Sequence, residues 1–164
     1  MDGMGLGSLR RSNFDKAGFA MAMHDLLGHA VEAELMMTSV ISAHLGRDLE
    51  SIFLLETKAI AQLSVNSKIS LLEEIMQSEG WDQDFPFIIP VLRAIFAMRN
   101  KLAHSVAYGF DASVRSSVRR GTASTDAIPL KTITGLARSA HFVTNVEMSF
   151  LQVRALPVSY WTAE

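Results

Sequence analysis

The segment Arg99-Asn100-Lys101-Leu102-Ala103-His104 brings together side chains that can bind an anion and move a proton. An imidazole titrates near neutral pH, so His104 is the group in this segment able to act as a base. The Arg99 guanidinium is permanently cationic and donates through a planar fork that matches phosphate oxygens. Asn100 can orient the histidine or the anion. On a helix Asn100 and His104 stand at i and i+4 and share a face, whereas Arg99 lies about 140° around from His104 at roughly 100° per residue. One helix alone therefore builds no compact site. Arg99 must reach around on its long stem, the helix must loosen near His104, or a second copy of the chain must complete the constellation.

A helix has to carry these residues. Ile88, Leu92, Ile95, Met98 and Leu102 supply its apolar positions, Asp84 is the expected N-cap with Pro86 in the first turn, and Pro90 lies early enough to bend the helix without destroying it. Upstream, Phe19, Met23, Leu27, Ala30, Met37, Ile41 and Leu45 recur at three- and four-residue steps. They predict one long amphipathic helix that stops at Gly46, with Glu34 the only break in its stripe. A short helix and a turn are expected over 50–64. A clearer helix starts near Ser67, carries Ile69, Leu72, Ile75 and Met76 on one side, and ends at Gly80. Helical periodicity is lost between Ser105 and Lys131, where a loop or short hairpin is expected (106–110, then 114–119). Thr132 or Thr134 can cap a last helix with Leu136, Ala140, Val143, Val146, Phe150 and Val153 as its buried stripe, ending before Pro157. The pattern is all-α, a bundle of four or five helices with a basic insert before the last one. Residues 1–13 read as a flexible leader, 14–156 as a single domain and 157–164 as a tail.

The 164 residues are 49% hydrophobic and 20% charged, with mean hydropathy +0.21, which excludes a disordered chain and leaves apolar surface for a partner. There is no cysteine, hence no disulfide and no thiolate metal site, and a cytoplasmic location is expected. The longest apolar runs, such as 85–92, fall far short of the roughly 20 residues that span a bilayer. Arg10-Arg11 with Phe14 and Lys16 superficially resembles a twin-arginine export signal. Only 17–23 lack charge before His24 and Asp25, however, and the apolar spacing then continues as a helix. Net charge is −2, but 93–138 holds eight basic residues against Asp111 and Asp126, or +6, leaving −8 elsewhere. Such a basic strip attracts phosphate-rich ligands.

Arg99-Asn100-x-x-Ala103-His104 at a helix end resembles the Arg-x4-6-His signature of the HEPN superfamily. The resemblance runs over about residues 20–155. It includes a preceding helix reading Ser67-Lys68-Ile69-Ser70-Leu71-Leu72, a basic hairpin-like insert and a Thr-capped final helix, in the order such domains use. It implies a HEPN-like helical bundle and a metal-independent endoribonuclease acting as a homodimer, with motif residues from two protomers meeting across the interface, as a toxin or defence effector. In that chemistry His104 takes the ribose 2′-hydroxyl proton, Arg99 stabilises charge on the phosphorus oxygens and Asn100 positions either partner. Toxin relatives paired with nucleotidyltransferase antitoxins carry a tyrosine two residues after the histidine. Val106 stands there and Tyr108 is the nearest tyrosine, a departure that weighs against nucleotide transfer at that position.

Two other readings stay open. A similar Arg-Asn-x-x-Ala-His segment occurs in the mannitol operon repressor family, which implies a non-catalytic interaction or regulatory module with a protein or small partner. In a purely structural role, Arg99 pairs with an acid such as Glu73 or Glu74, Asn100 caps a backbone and His104 favours the negative end of its helix. Lys101, Arg115, Arg119 and Arg120 can follow an RNA backbone, with Tyr108 and Phe110 for stacking, or they only solubilise a loop. His24, His29 and His44 share the first helix. His29 with Glu32 has metal-binding spacing but no second pair to support it, so two polar residues side by side on the helix surface explain it better. His141 is read as a satisfied core or interface histidine. No phosphate loop, nucleophile elbow or HExxH motif is present. No cofactor is expected; the partners expected are a second copy, RNA, and an antitoxin or regulatory protein, with no membrane.

Overall fold

A computed structural model describes residues 16–103, 105–107, 113–116 and 125–157. The long apolar repeat folds into a 30-residue helix, α1 (Lys16–Leu45). It runs through the middle of the molecule and packs on every other long helix. Its buried line is Phe19, Ala22, Leu26, Ala30, Ala33, Met37, Val40 and Ile41. Met23 and Leu27 lie at the edge of that line, and Leu45 is exposed. Gly46 ends α1 because the chain doubles back closely there: a Cβ at this position would collide with Ile52 and crowd the Ser42 carbonyl.

α2 (Leu49–Leu54) opens on a capping box in which Asp48 accepts from the Ser51 amide at 2.8 Å and the Ser51 hydroxyl faces the Asp48 amide at 3.1 Å. The Ser51 donors hold the Asp48 carboxyl below the usual carboxylate range. A π turn (Leu55–Ala59) and a 3-10 turn (Ile60–Gln62) follow. α3 (Val65–Glu79) is capped by Ser64 and ends at Gly80, whose φ of 72° is left-handed and suits glycine.

α4 (Trp81–Asp84) is a single turn, and α5 (Ile88–Ala103) starts after Pro86. Asp84 is thus not the N-cap of α5. It is the last residue of α4, and its carboxylate accepts from Arg154. Pro90 sits in the first turn of α5, where a missing amide costs little.

Between α5 and α6 the backbone pairs as three short antiparallel strands: β1 (Ser105–Ala107), β2 (Ser113–Ser116) and β3 (Thr125–Ala127), in the order β1-β2-β3. Val106 is opposite Arg115, and Arg115 is opposite Thr125.

α6 (Leu130–Phe142), a π turn (Val143–Glu147) and α7 (Met148–Ala155) follow one another without a break. The N-cap of α6 is Pro129, not Thr132 or Thr134: its φ is already fixed, and its carbonyl accepts from the Thr132 amide at 2.9 Å.

The core line on this segment is Ile133, Ala137, Ala140 and Val143, then Met148, Leu151 and Ala155. The expected stripe therefore holds only at Ala140 and Val143, with Leu136 partly buried. The π turn has a wider turn than an α-helix and shifts the phase, so Val146, Phe150 and Val153 turn outward.

The body is all-helical, with a core drawn from α1, α3, α5, α6 and α7. Among the described residues no helix is long and apolar enough to cross a membrane. The leader over 1–13 and the tail from 158 onward lie outside the described residues.

Candidate functional site

α5 delivers Arg99 and Asn100 to its last turn, and α1 supplies what meets them. Glu34 is the one charged residue on the apolar stripe of α1, a setting in which a carboxylate calls for counter-charges. It has two. Lys68 on the first turn of α3, 3% exposed, sets its Nζ 3.0 Å from Glu34 Oε1, and Arg99 brings a guanidinium nitrogen to 3.8 Å from Oε2. The Arg99 guanidinium also lies 5.8 Å from the centre of the Phe96 ring, one turn back on α5.

Three helices therefore converge on one carboxylate through two cations, and the cluster carries one net positive charge. The two contacts differ in kind. Lys68 is buried and makes a close charge-assisted hydrogen bond, so it is committed to Glu34. Arg99 is 39% exposed and beyond hydrogen-bond range, so it keeps donors available to an incoming anion. Asn100 is exposed, and Lys101 is half-buried beside it.

Arg99 does not pair with Glu73 or Glu74. Glu73 is taken by Arg93 at 2.5 Å, on the outer side of the α3–α5 contact. Periodicity along α1 marked Glu34 as a break in its stripe, and Lys68 stood within the α3 segment. Neither was read as a site residue, because the contact joining them is made between helices.

His104 falls between the end of α5 and the start of β1 and lies outside the described residues, as do Tyr108, Phe110, Arg119 and Arg120. Arg115 is placed on the central strand β2 by its backbone alone. Of Arg99, Asn100 and His104, only Arg99 and Asn100 therefore lie among the described residues.

The other histidines sort by contact. His29 Nδ1 is 3.0 Å from Glu32 Oε2, and its ring meets His141 edge-on at 5.2 Å. His44 meets Trp81 edge-on and lies 3.9 Å from Glu79. His141 is exposed rather than a core residue: it falls one position beyond Ala140 on α6, and its Nδ1 lies 3.0 Å from the Asn145 amide nitrogen. Among the described residues no three acidic or imidazole groups are grouped as a metal site.

Comparison with protein-family models, with curated proteins and with solved structures gives no match to this chain.

Proposed function

We propose that the chain is a HEPN-type, metal-independent endoribonuclease that works as a homodimer, in the role of a toxin or defence effector. The observation that carries this reading is the shared carboxylate of Glu34. Lys68 occupies one of its oxygens closely, and Arg99 stands back from the other with its guanidinium half-exposed beside the motif.

The cleavage then follows from ordinary chemistry. His104 removes the proton from a ribose 2′-hydroxyl, and the 2′-oxygen attacks the adjacent phosphorus. The bond to the 5′-oxygen breaks, which leaves a 2′,3′-cyclic phosphate, and the departing oxygen takes a proton from water to become a 5′-hydroxyl. Arg99 stabilises the negative charge that builds on the phosphorus oxygens, and Asn100 orients the imidazole or the phosphate. Lys101, Arg115, Arg119 and Arg120 line the RNA path, with Tyr108 stacking on a base. The test is cleavage of mixed cellular RNA by the purified protein and by Arg99→Ala. The wild type cuts, and the variant loses about a hundredfold or more, as expected when a transition-state charge partner is removed.

A second reading is favoured by the same pair. Arg99 already has a carboxylate near it, as a structural arginine would, and this suits a non-catalytic regulatory module resembling the mannitol operon repressor family. Under that reading neither protein cuts RNA, and Arg99→Ala changes stability alone.

A further inference from the structure

Two locally unfavourable choices face each other behind Arg99. Glu34 interrupts the apolar stripe of α1, and Lys68 places an ammonium in the first turn of α3, where the helix dipole disfavours a cation. The Lys68 side chain is buried, and among the described residues its charged partner is Glu34, with Nζ 3.0 Å from Oε1. A buried ion pair adds little to stability over apolar side chains of the same volume, so stability alone does not account for this one. Its effect on the third member of the cluster sets it apart.

We propose that Lys68 is a positioning residue for Arg99: by neutralising Glu34 it keeps the guanidinium close to the carboxylate yet able to take a phosphate of RNA. The proposal rests on the ribonuclease reading and names what keeps that site open.

Charge counting supplies the reason. Glu34 is negative and Lys68 positive, so the two cancel and the whole charge of Arg99 is left for an incoming anion. Without Lys68 the same carboxylate has one cation left to pair with. Arg99 then closes from 3.8 Å to hydrogen-bond distance, and its planar fork grips both oxygens. The guanidinium is still present in that state, but its donors are spent on Glu34.

The costs of letting go are unequal. An ammonium buried as deeply as Lys68 loses a great deal when its counter-ion leaves. An arginine that is 39% exposed exchanges such a partner for water or another anion at little cost. An arriving phosphate therefore detaches Arg99 and leaves the Lys68 pair intact. The buried Phe96 ring, 5.8 Å from the guanidinium, keeps the side chain over the same spot without using its donors. Two weak holds suit a group that has to be both in place and available.

Two readouts on the full chain separate this proposal from the ribonuclease reading. In the ligand-free protein, the NMR signal of the Arg99 Nε–H, identified by its loss in Arg99→Lys, reports how fast that group exchanges with water. Exchange is fast in the wild type and about tenfold or more slower in Lys68→Met, where the fork is closed on Glu34. It is fast again in Glu34→Gln/Lys68→Met, which leaves no carboxylate to grip. Lys68→Gln keeps a donor for Oε1 but not the charge; it gives the same slowing and serves if the methionine variant does not fold. Circular dichroism establishes folding throughout. Fluorescence anisotropy with a 2′-O-methyl oligoribonucleotide, which lacks the hydroxyl that cleavage needs, then measures phosphate capture. Lys68→Met binds about tenfold more weakly than the wild type, and the double variant recovers to within about threefold of it. A lysine with only a structural role changes the unfolding of these variants and leaves Arg99 exchange and oligonucleotide affinity where they were. Arg99 exchange as fast in folded Lys68→Met and Lys68→Gln as in the wild type, or a double variant as slow as Lys68→Met, overturns the proposal. An oligonucleotide that binds none of the proteins counts against the ribonuclease reading instead, and Arg99 exchange then decides this proposal by itself.

Discussion

Replacing Glu34 with glutamine keeps the shape of the side chain and removes the charge that Lys68 and Arg99 share. Lys68 is 3% exposed with Nζ 3.0 Å from the carboxylate, so the change leaves an ammonium buried without a counter-ion. Breaking a fully buried pair in this way costs about 3–5 kcal/mol. Glu34 is 31% exposed and the glutamine oxygen still accepts one hydrogen bond, which reduces the expected loss to about 2–3 kcal/mol. For a domain of this size that lowers Tm by about 5–10 °C. Lys68→Met removes the buried charge with it, so the double variant Glu34→Gln/Lys68→Met recovers most of the loss, since a pair replaced by apolar volume is often neutral. Thermal and urea unfolding of the four proteins completes the cycle. A single variant within about 0.5 kcal/mol of the wild type, or a double variant no more stable than Glu34→Gln, refutes the claim that Glu34 is the counter-ion of a buried lysine.

Two further substitutions test separate parts of the structure. Gly46→Ala places a Cβ against Ile52 and the Ser42 carbonyl and costs about 1–3 kcal/mol by urea unfolding. Burial raises the Glu147 carboxyl above its ordinary value, with Oε2 left without a hydrogen bond. A raised carboxyl contributes stability that is full below the unfolded pKa and lost as pH rises through the folded one. Glu147→Gln therefore raises Tm at pH 7 and changes it little near pH 4, as thermal melts across that range will show.

The sequence made the long helices legible wherever a single periodicity ran unbroken. α1 stops before Gly46 and α3 at Gly80, and Ile88, Leu92, Ile95 and Leu102 on α5 are buried. The expected buried stripe on the last helix failed at Val146, Phe150 and Val153 because a π turn shifts the phase, and no single residue type announces one. Asp84 looked like a cap because aspartate before a proline often is one, but here its carboxylate goes to Arg154, seventy residues away.

The candidate site divides along the same line. Arg99 and Asn100 were legible as neighbours on one helix end. The ion pairs of Glu34 with Lys68 and Arg99 depend on three helices meeting, which local spacing does not encode. Glu34 still left a trace as the only charge interrupting an apolar stripe, and a charge in that setting needs a partner from another element.

The central claim concerns what Arg99 and His104 do to RNA, and end chemistry tests it most directly. Purified protein and its His104→Ala variant are incubated with mixed cellular RNA in EDTA, and the fragments are examined for their termini. The account predicts fragments with 2′,3′-cyclic phosphate and 5′-hydroxyl ends from the wild type and intact RNA from the folded variant. Intact RNA from both folded proteins, or equal cleavage by both, contradicts it.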